Sequence, residues 1–534
     1  MNLIKGSYIL GLIAALFAFL EKKFFESAFY NNLICRQLIP LWRIIDRKWD
    51  ESFCMCVLRA LGSVFKSGWS YAFFIRRPSL DRLVSESCII RLVLWIANLV
   101  PNLLGRLYRR FSKVFDNSFF ICLCDKLPLF VLCALAVIMF VTPQEMWNNM
   151  YGLIFAVAAL AMFWLSGMRN PDRRFSLLGV GGWTVAYFFI TIMSTFWSID
   201  LGTSLRYMAF WFTALIVLMV LINLVQSERE LLTTALCIAA GLIVASGFAV
   251  LQRAGGLVEA SASLTDMSAN KGMPGRVYSF FENPNSFANV LVLFAPLMLT
   301  MGLDKKHKVR SAVFLIAFLL SVLALVMTYS RGGWLAIALS MFVLILLVKP
   351  EYAPLLIVVG CAALPILPDT ILNRILTIFT GDSSIDTRMY LYDGAFGAIA
   401  SSPVFGVGLG SEVAGIAAMD SGRYLIAEKM KFVHAHNLYF EIWAETGAVG
   451  LVFFLLAMFY GLQRAASCAR RKDAPMTARR VCAGFMAAFT GSLFFGVTDY
   501  PWCYPRVMVM YWLAFALMCA ASKLCENEIT MKEI

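Results

Sequence analysis

Charge is scarce in this sequence. Asp, Glu, Lys and Arg together make up 15% of its 534 residues, against 60% hydrophobic residues and a mean hydropathy of +0.75. That balance excludes a string of water-soluble domains and describes a chain that crosses a membrane repeatedly. Histidine is rarer still, with His307, His434 and His436 the three in the chain. No cysteine cluster stands beside the last two, so no metal site is expected. The 14 cysteines fall almost entirely in apolar runs or basic joints. Cys54/Cys56 and Cys122/Cys124 lack histidine at ligand spacing, and no disulfide framework is expected. Internal repeats and an obvious pair of catalytic carboxylates are also wanting. The apolar run Tyr8 to Leu20 has no small-residue cleavage site after it, so no cleavable signal peptide is read.

The net charge of +13 is concentrated in short joints and in the first 125 residues. That placement fits cytoplasmic loops and anionic lipid, and argues against a nucleic-acid partner. Residues 1–125 form a basic amino-terminal region. Arg36, Arg43, Arg47, Arg76, Arg82, Arg106, Arg109 and Arg110 are interleaved there with Leu, Phe and Trp. Its apolar pieces are short or interrupted, as Cys88 to Val100 is by Arg91, and suit amphipathic helices at the membrane surface. Tyr8 to Leu20 remains a marginal span.

From Leu127 long apolar runs alternate with short polar joints. An all-α, polytopic membrane domain over residues 126–523 is expected, followed by a tail at 524–534. About twelve transmembrane helices are expected, near 127–141, 151–168, 176–198, 207–225, 231–251, 286–303, 311–329, 334–348, 353–367, 438–462, 481–498 and 506–522. The basic joints Arg169/Arg173/Arg174, Lys305 to Arg310 and Arg464 to Arg480 fall on one side of that count. That side reads as cytoplasmic, with both termini. The loops 253–285, 330–333, 368–437 and 499–505 are then external, and 368–437 is a large loop between the ninth and tenth helices.

The external side carries arginines against the usual bias: Arg276, Arg331, Arg374, Arg388, Arg423 and Arg506. Arg331 joins two apolar runs with almost no loop, which holds its charge at the membrane surface. A guanidinium fork there suits a diphosphate. The plainer reading is an interfacial anchor, or an ion pair with Glu282, Asp386 or Asp393. His436 and Asn437 open a helix on which Asn437, Glu441 and Glu445 recur every four residues, making one face polar. An imidazole there can accept a proton near neutral pH.

His436-Asn437 followed after nine residues by Gly447-x-x-Gly450 resembles the histidine motif of the bacterial O-antigen ligase and O-antigen polymerase superfamily. Similar pieces are Thr328-x-Ser330-Arg331-Gly332-Gly333, Asp386-Thr387-Arg388 with Tyr392, Ser402-Pro403-x-x-Gly406-x-Gly408, and Gly275-Arg276 ahead of Phe281-x-Asn283-Pro284-Asn285. Together they cover roughly residues 270–450. The resemblance implies a membrane glycosyltransferase of the bacterial cytoplasmic (inner) membrane that works without metal or cofactor. Its donor would be a glycan on undecaprenyl diphosphate, and its acceptor a saccharide or lipid-anchored hydroxyl. It further implies that Arg331 and Arg388, with Arg276, hold the diphosphate and that His436 is catalytic. Asn437, Glu441, Glu445, Tyr392 and His434 would support it. A transporter of a small anionic solute and a non-catalytic scaffold of envelope polysaccharide assembly are the competing classes. The want of repeats and broken midplane helices weighs against the first.

Overall fold

The computed structural model describes residues 87–115, 123–170, 173–177, 179–259, 273–349, 369–380, 383–422 and 434–533, with isolated positions elsewhere. The expected helix at 353–367, most of the Tyr8 to Leu20 run, Arg423 and the Asp386 side chain lie outside the described residues. Among the described residues every regular element is a helix and no strand occurs. In order these are α1 (Cys88–Ala97), α2 (Leu99–Arg110), α3 (Leu127–Val141), α4 (Asn149–Arg169), α5 (Gly182–Ser194), α6 (Leu201–Leu224), α7 (Glu228–Ala254) and α8 (Pro284–Gly302). There follow α9 (Lys308–Met327), α10 (Arg331–Val348), α11 (Asp369–Thr380), α12 (Ser383–Ser401), α13 (Ser411–Asp420), α14 (Leu438–Arg470), α15 (Met476–Phe495) and α16 (Pro505–Glu533).

Among the described residues eight helices are long and apolar enough to cross a membrane: α4, α6, α7, α8, α9, α10, α14 and α16 up to Glu526. α3 is apolar but has 15 residues, and α5 has 13. The bent pair α1–α2, with a 45° break, meets the same length and composition only when taken together. The described part of the segment 368–437 is built largely of helix, since α11, α12 and α13 fall within it.

Polar caps set where the helices begin at one end of the bundle. Asp200, Asn283, Ser330 and Asn437 each accept a first-turn backbone N–H with their side chain, which satisfies a donor that no carbonyl can reach. Arg506 fastens this end by donating to Thr142 O at 2.5 Å and Phe280 O at 2.7 Å. Its guanidinium lies over the Phe281 ring, 4.4 Å from the centroid. The opposite end carries the basic joints. There Asp304 receives Arg310, Arg480 and His307, and Arg464 pairs with Glu526 at 2.9 Å.

Within the bundle α8 and α16 are central, each with 89% of its apolar window buried, whereas α9 and α10 keep 28% and 22% and stand at the rim. Helices in lipid gain no hydrophobic drive from meeting, so close packing must hold them. α15 reaches α10 where Gly491 lies against Ser340 and the Ala336 backbone, leaving no room for a Cβ. An aromatic nest around Trp512 fills the middle, with Phe188 at 4.7 Å and Trp502 at 5.9 Å between ring centroids. One expectation is overturned. Cys468 on α14 and Cys525 on α16 are disulfide-bonded. Cys468 lies among Arg464, Arg470 and Arg471, and Cys525 between Lys523 and Glu526, and the pairing is created by packing of the two helices, which local sequence does not encode.

Candidate functional site

The site grows from the start of α14. Asn437 caps it by accepting from Tyr439 N at 2.9 Å and Phe440 N at 3.1 Å, and donates its amide to Val497 O at 3.0 Å. Leu438 N donates to Gly496 O at 2.7 Å, so the α14 start and the 496–504 connection are sewn together. Glu441, one turn on and fully buried, accepts from Ala435 N at 2.7 Å. It thereby holds the segment that carries both histidines. Glu445, a further turn on, accepts from the Tyr500 hydroxyl at 3.5 Å. The four-residue spacing seen in the sequence is thus a buried polar face.

Two residues after Glu445, α14 breaks. Gly447 takes φ 70° and ψ −178°, outside the helical region. The turn at Pro403 to Gly408 fills the gap, with Ala448 N donating to Pro403 O at 2.9 Å and Val407 N to Ala444 O at 2.8 Å. The orphaned backbone groups at the break are therefore satisfied by another chain segment. Gly406 (φ 78°) lies against the Glu445 carbonyl and Gly447 against that of Val404, where any side chain would collide.

His436 sits just before α14 with φ 47°, a left-handed conformation that turns its ring toward the 496–504 connection. Its Nδ1 is 2.9 Å from Asp499 Oδ1. Asp499 is buried, which alone would raise its carboxyl. The hydrogen bond and charge of His436, with His434 and Arg388 beyond, outweigh burial and hold it well below the usual carboxylate range. The carboxylate is thus an acceptor for Nδ1–H, leaving Nε2 to take a proton from elsewhere. The Asp499 connection is seated by Trp502, which packs on Tyr511 at 4.9 Å and Trp211 at 5.7 Å.

The arginines gather around a neighbouring turn. Arg276 Nε donates to Thr328 O at 2.8 Å and Arg374 Nε to Tyr329 O at 3.3 Å, on consecutive peptides. Arg331 begins α10 two residues later. Burial, and then the charge of Arg374, bring the Arg276 guanidinium down to about 9; Arg331 and Arg388 add to the effect and Asp499 opposes it. Arg388 on α12 acts electrostatically on Arg276, Asp499 and Tyr392 alike. Four cations and the histidine–aspartate pair therefore share one electrostatic neighbourhood, at an end where the amino termini of α8, α10 and α14 add positive potential.

Residues 316–455 match the O-antigen ligase family model. Comparison with curated proteins finds no match. The matched segment runs from within α9 to the first part of α14 and contains Arg331, Arg374, Arg388, His434 and His436. It supports the O-antigen ligase and polymerase superfamily, glycan transfer in general, and with it a lipid-linked glycan donor and a membrane setting.

Of the expected residues, Arg276, Arg331, Arg388 and His436 come together. Asn437 and Glu441 serve as cap and backbone brace. Tyr392 donates to Val497 O at 3.2 Å, beside Asn437. Arg506 is a structural fastening apart from this group. One neighbour of His436 is not singled out by the sequence, and one of the arginines is given no role by it. Asp499 lies 63 positions beyond His436, and its one signal is an acid in a short joint between apolar runs. Arg374 was noted as an external arginine without a role.

The site also changes the metal question. His434, His436 and Asp499 each offer a ligand atom within 4.8 Å of the others, so the third donor that the sequence lacked is supplied by an aspartate. As arranged, the His436–Asp499 contact has hydrogen-bond length, and His434 Nδ1 accepts from His436 N at 3.1 Å.

Burial, then the charge of His436, lowers His434 from 6.5 to about 4, with Asp499 opposing. Folding therefore favours its neutral ring. The associated stability is complete above 6.5 and drains as pH falls toward 4, at about 1.4 kcal/mol per unit. His434→Gln is expected to flatten the acid-side decline of the melting temperature over that window. Parallel curves for the two proteins would remove His434 as its cause.

Proposed function

We propose that this protein transfers a glycan from an undecaprenyl-diphosphate donor to an acceptor hydroxyl at the outer face of the cytoplasmic membrane. The observation that carries the reading is the His436–Asp499 contact, 2.9 Å long, beside a group of arginines that act on one another. Departure of a lipid diphosphate builds negative charge, and fixed cations facing it lower the barrier. Arg331 and Arg388 bind the diphosphate, with Arg276 behind them. His436 Nε2 takes the acceptor's proton as its oxygen attacks the anomeric carbon, the bond from that carbon to the phosphate oxygen breaks, and the diphosphate leaves with that electron pair. Asp499 orients the ring and stabilises the imidazolium. One base on the acceptor side suffices for an inverting displacement.

The test is in vitro. Purified protein given a lipid-linked glycan and an acceptor should release undecaprenyl diphosphate, and a chelator should leave the rate unchanged. Loss of activity on chelation, restored by one divalent ion, would instead make His434, His436 and Asp499 a metal centre. Release with no glycosylated product would end the transferase reading. Product length separates a polymerase from a ligase.

A further inference from the structure

The bent pair α1–α2 lies apart from this chemistry and is firmly docked. At the break, Asn98 clamps the Phe175 backbone from both sides, donating to Phe175 O at 3.0 Å and accepting from Phe175 N at 2.8 Å. Trp164 on α4 donates to Ala97 O at 3.1 Å. Arg174 staples α2 to the end of α4, with donation to Asn102 Oδ1 at 2.9 Å, Gly167 O at 2.8 Å and Pro101 O at 3.3 Å. The elbow is a fixed part of the basic end of the bundle.

Two features of its free surface belong together. Leu92, Val93, Trp95, Leu99, Leu103 and Leu107 are exposed, forming an apolar face that no described segment covers. Arg106, Arg109 and Arg110 are exposed at the end of the same elbow. Among the described residues none of these arginines, nor Arg174, has a carboxylate partner, whereas neighbouring Arg169 pairs with Asp125 at 3.3 Å and Arg173 with Glu230 at 3.5 Å. Cations are even brought toward each other. At Gly105 a Cβ would stand 3.3 Å from Arg174 Nη2 and 3.9 Å from Arg109 Nη1, so the missing side chain lets the two guanidiniums converge. Burial, then the charge of Arg109, lowers Arg174, as expected for cations that face each other without a counter-charge.

We infer that this elbow is a binding site for an anionic phospholipid. Its acyl chains lie along the apolar face of α1 and α2, and its phosphate is gripped by Arg106, Arg109 and Arg110 in the field of Arg174. Arginine forks meet phosphate oxygens in pairs, and basic residues at the headgroup layer draw anionic lipid. A zwitterionic lipid would offer the same tails, but its own cation would cancel the charge attraction. An acidic protein segment would leave the apolar face uncovered.

The test uses the full-length protein in nanodiscs of equal phosphatidylglycerol and phosphatidylcholine, with retained lipid read by native mass spectrometry. Phosphatidylglycerol should be retained about tenfold over phosphatidylcholine, and Arg106→Gln/Arg109→Gln/Arg110→Gln should bring the ratio near one. Arg169→Gln, whose arginine already has a partner, should keep the preference. Arg109→Gln alone should reduce it by about threefold, which covers the case in which the triple variant does not fold. No preference in the unaltered protein would overturn the assignment, as would a triple variant that keeps it. Loss of the lipid to about 10 mM inorganic phosphate would show a site for a free anion, and would also overturn it.

Discussion

Asp499→Asn is expected to slow glycan transfer by about a thousandfold while donor affinity stays within about twofold. On the proposed mechanism the carboxylate accepts from His436 Nδ1, which places the proton there and leaves Nε2 as the base. An amide in its place can present its NH2 to Nδ1. That contact favours the other tautomer, with the proton on Nε2, where it blocks the reaction. It also removes the negative charge that would steady the imidazolium. His436→Ala should lose transfer to a similar degree, again with the donor still bound. Because the two act as a unit, the double variant should be little worse than either alone. Single-turnover release of undecaprenyl diphosphate, beside equilibrium donor binding, reads both quantities. If Asp499→Asn keeps more than about a tenth of the rate, the aspartate does not set the tautomer.

Removal of the cations should show the opposite pattern. Arg388→Ala and Arg331→Ala are each expected to weaken donor binding by about 10- to 100-fold, the range for losing a charge-assisted contact worth about 1.5–3 kcal/mol. Transfer at saturating donor should fall further, because the leaving diphosphate gathers charge as it departs. Arg388→Lys should recover part of the affinity but not all, since an ammonium supplies charge without the planar fork. Raising salt should weaken the unaltered protein's donor affinity more than that of either alanine variant. Donor affinity that does not change in Arg388→Ala and Arg331→Ala would move the diphosphate away from these residues.

Most of the bundle could be read from composition, because an apolar run long enough to span leaves few choices but helix. The run expected at 311–329 overlaps α9, and that at 207–225 overlaps α6. Misjudgements fall where glycine intervenes. The helix expected at 176–198 begins only at Gly182, because Gly179 and Gly181 take positive φ and hold the chain in a turn. Gly447 stands in the sequence as part of the motif that begins at His436 and is where α14 breaks, and nothing local announces the turn from 403–408 that occupies the gap. The four-residue face of Asn437, Glu441 and Glu445 was legible because it is local. The partner of His436 was not, because only tertiary packing brings residue 499 beside residue 436.

Arg276 and Arg374 hang from consecutive carbonyls of the Thr328–Tyr329 turn. Both guanidiniums are therefore referenced to one short stretch of main chain, in which consecutive Cα atoms are about 3.8 Å apart. The Asn285 side chain steadies one of the two from the side, its Oδ1 accepting from Arg276 Nη2 at 2.6 Å. On the proposed reading, a change that reshapes the bend at residues 328–329 would move both guanidiniums at once, whereas a change at Asn285 would loosen one and leave the other.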